Sequence, residues 1–170
     1  FIADTLAAIV EAIQSSDFTT EVIFVDDAST DNTWQVLLEL AESSRAALQV
    51  RAIRLRKNVG QHASILCGLR ESKGDYVITF DDDLQNDPSE IAGALDYLIS
   101  SNVDVVVVSY KSFEKSLIRK FGSKLIQLLV KNIFQPPPNF QSSPFRLIKR
   151  PIVEKICATA KLKPFITGEI

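Results

Sequence analysis

Four short apolar runs, alternating with segments of helical spacing, constrain this chain more than any other feature. EVIFV (21–25), LQVRAIRL (48–55), DYVITF (75–80) and DVVVVSY (104–110) are rich in β-branched and aromatic residues. EVIFV and DVVVVSY are apolar at consecutive positions, which suits strands covered on both faces. Between the runs, helical periodicity places Leu6, Ile9, Val10 and Ile13 on one face of residues 2–16, and Ile65, Leu66 and Leu69 on one face of 61–72. A third helix runs through Trp34, Leu37, Leu38 and Leu40, and a fourth, 89–100, follows Pro88, a residue suited to a helix's first turn. Strands separated by helices predict an α/β sandwich with a mainly parallel sheet. The alternation opens on a helix, so a first strand is expected upstream.

At 170 residues the chain is the size of one domain with a proper core, and 46% hydrophobic against 24% charged residues is a globular balance. A net charge of −2 excludes a general nucleic-acid binder, whose footprint is basic. Cys67 and Cys157 form neither a CxxC nor a zinc-ligand spacing, which argues against disulfide scaffolds and structural metal sites. No apolar run reaches the roughly 20 residues that span a bilayer. GxGxxG and GxxxxGK[ST] loops are lacking, and QPPPNFQSSP (135–144) is expected as a loop. Without a methionine and opening on FIADTLAAIVEAI, residues 1–170 are expected to form a single domain cut at both ends from something longer.

In an open parallel sheet, ligands bind outside the carboxyl ends of the strands. Asp26 and Asp27 follow EVIFV, and Asp81, Asp82 and Asp83 follow DYVITF, so five carboxylates are expected to face one crevice. Adjacent carboxylates repel unless a cation or proton separates them. Asp81 and Asp83, alternate residues at a strand exit with Gln85 two places on, fit one Mg²⁺ or Mn²⁺ that keeps positions open for phosphate oxygens. The competing reading of Asp27, Asp31, Asp83 and Asp87 is that each caps a helix or turn.

In order, VDDASTDNT, RLRKNVGQHASILCGLRESKGDYVITFDDDLQNDPSEI and SPFRLIKRPIVEKI resemble successive blocks of family 2 glycosyltransferases. The similarity is nearest to the branch of polyprenyl-phosphate sugar synthases and lipopolysaccharide-modifying enzymes. It implies a GT-A (Rossmann-like) three-layer sandwich, an inverting reaction, a UDP- or GDP-sugar donor and Mg²⁺ or Mn²⁺. By that resemblance Asp26 or Asp27 lies near the nucleotide base, and Asn58, Gly60 and Gln61 line the nucleotide pocket. Asp81 and Asp82 belong to the donor site, and Asp81 and Asp83 match a metal-binding DxD with Gln85 as a further metal neighbour. Two features of the family pattern are not found: the first strand with its nucleotide-contacting segment, and an acidic ED position, since the chain ends at Gly168-Glu169-Ile170.

A lipid-phosphate acceptor explains the lack of a base, because its oxygen is already ionised near neutral pH. The segment KSFEKSLIRKFGSKLIQLLVKNIF (111–134) sets Lys115, Arg119, Lys120, Lys124 and Lys131 around an apolar stripe. It reads either as a helix on a membrane surface or as a solvated face over a core face. The resemblance gives Arg119 to the acceptor phosphate and Arg146 to a later basic position, so Asp83, Arg119 and Arg146 are the residues expected to carry the transfer. The acceptor is expected to be a lipid phosphate or cell-envelope glycan, at the cytoplasmic face of the membrane. Rival readings are a phospho-acceptor signalling domain using the Asp26/Asp27 pocket, a phosphatase using the DxD, and a fragment that only binds. His62 reads as a solvated or capping residue, Trp34 as a helix-packing aromatic and Cys67 as a small core residue.

Overall fold

The computed structural model describes residues 2–13, 18–42, 48–81, 87–108 and 143–160. Helix α1 (Ile2–Ile13) leads into β1 (Thr20–Asp26), α2 (Thr33–Glu42) and β2 (Leu48–Arg54). Then come α3 (Gln61–Glu71), β3 (Tyr76–Thr79), α4 (Glu90–Ser100), β4 (Val105–Val107), β5 (Arg146–Lys149) and α5 (Arg150–Thr159). Every expected strand and helix before residue 109 is present; β1 runs one residue beyond EVIFV at each end, and residues 14–16 of the first expected helix lie outside the described residues. Residues 109–110 of the DVVVVSY run lie outside the described residues, as does the basic segment 111–134.

The layering follows from strand alternation. Ile148 of β5 joins Leu66 and Leu69 of α3 and Val153 and Ile156 of α5, with Val77 and Val105 packed on them. Its neighbour Leu147 faces the opposite way, to Ile91 and Leu98 of α4 and Phe145, with Ile9 and Ile13 of α1, Tyr76, Ile78 and Val106. Successive strand residues thus bury into two cores on opposite faces, each roofed by two helices. This is the three-layer sandwich expected.

β1 and β2 pair in parallel, Thr20 opposite Leu48 through Asp26 opposite Arg54. β3 and β4 run parallel to each other, but β5 lies between them and is antiparallel to both. Among the described residues, the mainly parallel sheet expected from sequence comprises a two-stranded and a three-stranded group. Strand β5 has no local signal: it is four residues long, between Pro144 and Pro151, and owes its extended form to burial on both faces. Helix α3 spans the division. Its Gly68 approaches β1 so closely that a Cβ there would meet Val25 Cγ2 at 3.4 Å, while Leu66 and Leu69 serve the core of the three-stranded group.

Candidate active site

The register of the strands decides what meets at the carboxyl edge. Because β5 is antiparallel, its first residue, Arg146, lies opposite Thr79 and Val107, the last residues of β3 and β4. Two contacts clamp this corner: Thr79 Oγ1 donates to the Pro144 carbonyl at 2.6 Å, and the Phe80 and Phe145 rings meet edge-on, 5.1 Å between centroids. Asp81 and Arg146, the next residue after each ring, are brought to one place across 65 residues of chain. Arg146 is buried, 6% exposed. Burial lowers its pKa, and the Asp81 carboxylate opposes that shift. A cavity of about 130 Å³ opens beside them, lined by Gln61, His62, Ile65, Asp81, Pro144 and Arg146.

Asp26 and Asp27 follow different rules. The parallel register sets Asp26 opposite Arg54. The side chain of Asp26 has no exposure; its Oδ1 accepts from Ser29 N at 2.9 Å and its Oδ2 lies 3.2 Å from Arg54 Nε. Arg54 also donates to the Ser29 carbonyl and sits 5.6 Å from the centre of the Trp34 ring. Asp26 therefore shapes the 27–30 turn and does not present its carboxylate to the surface. Ala28 in that turn has φ +60, a left-handed conformation that a residue with a Cβ rarely adopts. Asp27 accepts from Val59 N and Gly60 N, both at 2.8 Å, and so ties the end of β1 to the start of α3. Gly60, at φ +91 and ψ 158, occupies backbone space that is nearly glycine-only.

The expected convergence of five carboxylates is thus corrected for the three described ones. Asp26 is paired with a guanidinium, Asp27 with two amides, and Asp81 with Gln61, whose Nε2 donates to Oδ1 at 3.0 Å and Oδ2 at 3.1 Å. Among the described residues no three carboxylate, histidine or cysteine groups cluster around one point. A phospho-acceptor pocket at Asp26/Asp27 needs a carboxylate not committed elsewhere, whereas Asp26 is sealed against Arg54 and both oxygens of Asp27 accept backbone amides. Asp31 and Asp87 cap turns as expected, accepting from Thr33 N and Ser89 N. Asn58 is exposed in the loop before Gly60. Asp82, Asp83, Gln85 and Arg119 lie outside the described residues.

Two contributors escaped the sequence reading. His62 is not merely a solvated helix start but lines the cavity with Asp81. Arg54 has no motif to announce it; only pairing with β1 reveals its role. Trp34 is half-buried as a packing aromatic, and Cys67 is half-buried with its thiol pKa raised by burial. For a divalent cation, Asp81 offers a hard oxygen donor at a strand end beside open space, which fits Mg²⁺ or Mn²⁺.

Residues 1–157 match the family model described as Glycosyl transferase family 2. An undecaprenyl-phosphate 4-deoxy-4-formamido-L-arabinose transferase from Pseudomonas syringae pv. syringae is 36% identical over 155 residues, covering 91% of this chain and 45% of that protein. The protein of the same name from Pectobacterium atrosepticum is 39% identical over 111 residues, 65% of this chain and 33% of that one. The chain spans less than half the length of these relatives. The crystal structure of S. aureus TarS 1–349 superposes with a TM-score of 0.58 at 17% identity, covering 99% of this chain and 50% of that one, and shows the shared GT-A fold. The order of the sequence blocks, the three-layer sandwich and the match over residues 1–157 agree: the chain belongs to glycosyl transferase family 2.

Proposed function

We propose that this domain transfers a sugar, with inversion, from a UDP- or GDP-sugar to a polyprenyl phosphate or related cell-envelope acceptor, using Mg²⁺ or Mn²⁺ at the cytoplasmic face of a membrane. The observation that carries it is the meeting of Asp81 and Arg146 in one cavity at the carboxyl edge of the strands. Family membership and relatives named for undecaprenyl-phosphate sugar transfer support the same reading. No helix among the described residues is long and apolar enough to cross a membrane.

In this reading an acceptor phosphate oxygen attacks the anomeric carbon, and the bond from that carbon to the donor diphosphate breaks with its electron pair on the leaving nucleoside diphosphate. The nucleophile is already ionised, so no side chain need take a proton. Arg146 stays cationic and holds anionic oxygen where burial makes its charge count. Asp81, with Asp83 and Gln85, would hold the divalent cation, which when bound stabilises charge on the leaving diphosphate. Gly60 and its neighbours, drawn in by Asp27, shape the nucleotide side, and Arg119 would meet the acceptor phosphate.

The test uses the full-length polypeptide with UDP- and GDP-sugars, offered polyprenyl phosphate or glycan acceptors. Release of one nucleoside diphosphate, dependent on acceptor and abolished by EDTA, is expected. Folded protein that releases no nucleotide with any pair ends the reading; release indifferent to EDTA ends its metal part alone.

A further inference from the structure

At the carboxyl edge, hydrogen bonds run outward from the start of α3 to carboxylates at two strand ends. Asp27 at the end of β1 fixes Gly60 N, Gly60 turns the chain at positive φ, and Gln61 begins α3 with its side chain on Asp81. Ser64 Oγ donates back to the Gly60 carbonyl and steadies the same turn. The Gln61 amide is shared between the two carboxylate oxygens at 3.0 and 3.1 Å, which holds the carboxylate facing the start of α3. A carboxylate has about four lone-pair sites, so accepting this amide is compatible with binding a cation as well.

We propose that Gln61 is a positioning residue for Asp81, holding that carboxylate ready for a divalent cation; the inference rests on the metal-ligand reading of Asp81 above. The chemistry suits glutamine. Its amide donates hydrogen bonds but carries no charge, so it orients the carboxylate without competing with an incoming cation. A lysine there would donate equally and act as a rival cation. Groups that orient a metal ligand from outside the coordination sphere typically govern metal affinity by about 10–100-fold.

In the full-length protein, Mn²⁺ affinity is measured by EPR titration with UDP and with GDP, beside melting temperature and the kcat and KM for donor. For Gln61→Ala the expected result is a Mn²⁺ Kd raised about 10–100-fold at unchanged melting temperature, with the activity defect partly recovered at high Mn²⁺. Gln61→Lys is expected to lose more than Gln61→Ala. Asp81→Asn serves as the reference and should weaken Mn²⁺ at least as much. If Asp81→Asn weakens Mn²⁺ while Gln61→Ala does not, the positioning role alone is overturned. If Gln61→Lys binds Mn²⁺ as tightly as the wild type, it is likewise overturned. If Asp81→Asn leaves Mn²⁺ binding unchanged, the metal reading falls and this inference with it.

Discussion

The two edges of the strands use the same chemical groups for different ends. At the amino edge, Glu21 of β1 accepts from Lys73 N and Gly74 N, and Arg150 of α5 donates to the Gly74 carbonyl and the Ser72 hydroxyl. Arg51 of β2 bonds Glu71 at 2.8 Å and lies 3.9 Å from Glu21. These contacts staple the two strand groups through the loop at 72–74. At the carboxyl edge, carboxylates again meet amides and guanidiniums, but Asp81, Arg146 and His62 border open space. A larger cavity, about 400 Å³, does exist at the amino edge beside Asp75, Lys149, Arg150 and Glu154. Size alone therefore does not identify the site. Carboxyl ends of parallel strands do, because loops there leave the sheet together and are free to vary.

Substitutions on the two edges should separate activity from stability. Asp81→Asn is expected to cut sugar transfer by about 10²–10³-fold, the scale of losing one group that stabilises developing charge, with an unchanged melting temperature. Glu21→Gln at the other edge should leave transfer intact; a fall in transfer there would break the contrast. Arg146→Met, apolar and of similar length, is expected to lose activity by about 10²-fold while the fold survives, since the Asp81 carboxylate left behind is only half-buried and keeps its bond from Gln61. Its counterpart Arg150→Met should keep kcat/KM and lower stability by about 1–3 kcal/mol, because the Gly74 carbonyl and Ser72 hydroxyl lose their donor; urea unfolding measures it.

Gly60→Ala sharpens the contrast within the carboxyl edge. Nothing lies within 4 Å of the added methyl, so the effect comes from backbone strain alone. A loss of about 1–3 kcal/mol is expected, accompanied by weaker nucleotide binding in calorimetry. The smallest effect concerns Asp31 and Asp87, whose carboxyls are held below the usual 3.8 by hydrogen bonds from Thr33 and from Ser89. Their folded values lie below the unfolded ones, so their contribution is complete above about pH 3.8 and lost as pH falls through the folded values. Urea midpoints of Asp31→Asn and Asp87→Asn should differ from the wild type at pH 7 and converge with it in acid.

Much of this was written locally. The periodicities of EVIFV, DYVITF and the helix beginning at Gln61 marked elements that the fold contains, and the acidic residues following two strands marked the edge that carries the candidate site. Locally readable too were the caps at Asp31 and Asp87, since a carboxylate two residues before an amide needs no distant partner. What could not be read was any contact fixed by pairing. Asp26 looked like a ligand group until the register set Arg54 beside it, and Arg146, expected from the resemblance alone, meets Asp81 because β5 inserts between β3 and β4.

The sequence by itself determined the order of strands and helices as far as β4, the two buried faces and the placing of acidic residues after strand ends, because each depends on spacing over a few residues. Only the tertiary structure decided which carboxylate is sealed, which braces a loop and which faces a cavity. Those outcomes depend on strand register and on side chains up to 65 residues apart meeting across the sheet. Burial energy, summed over the whole fold, selects that register; no local run of residues encodes it.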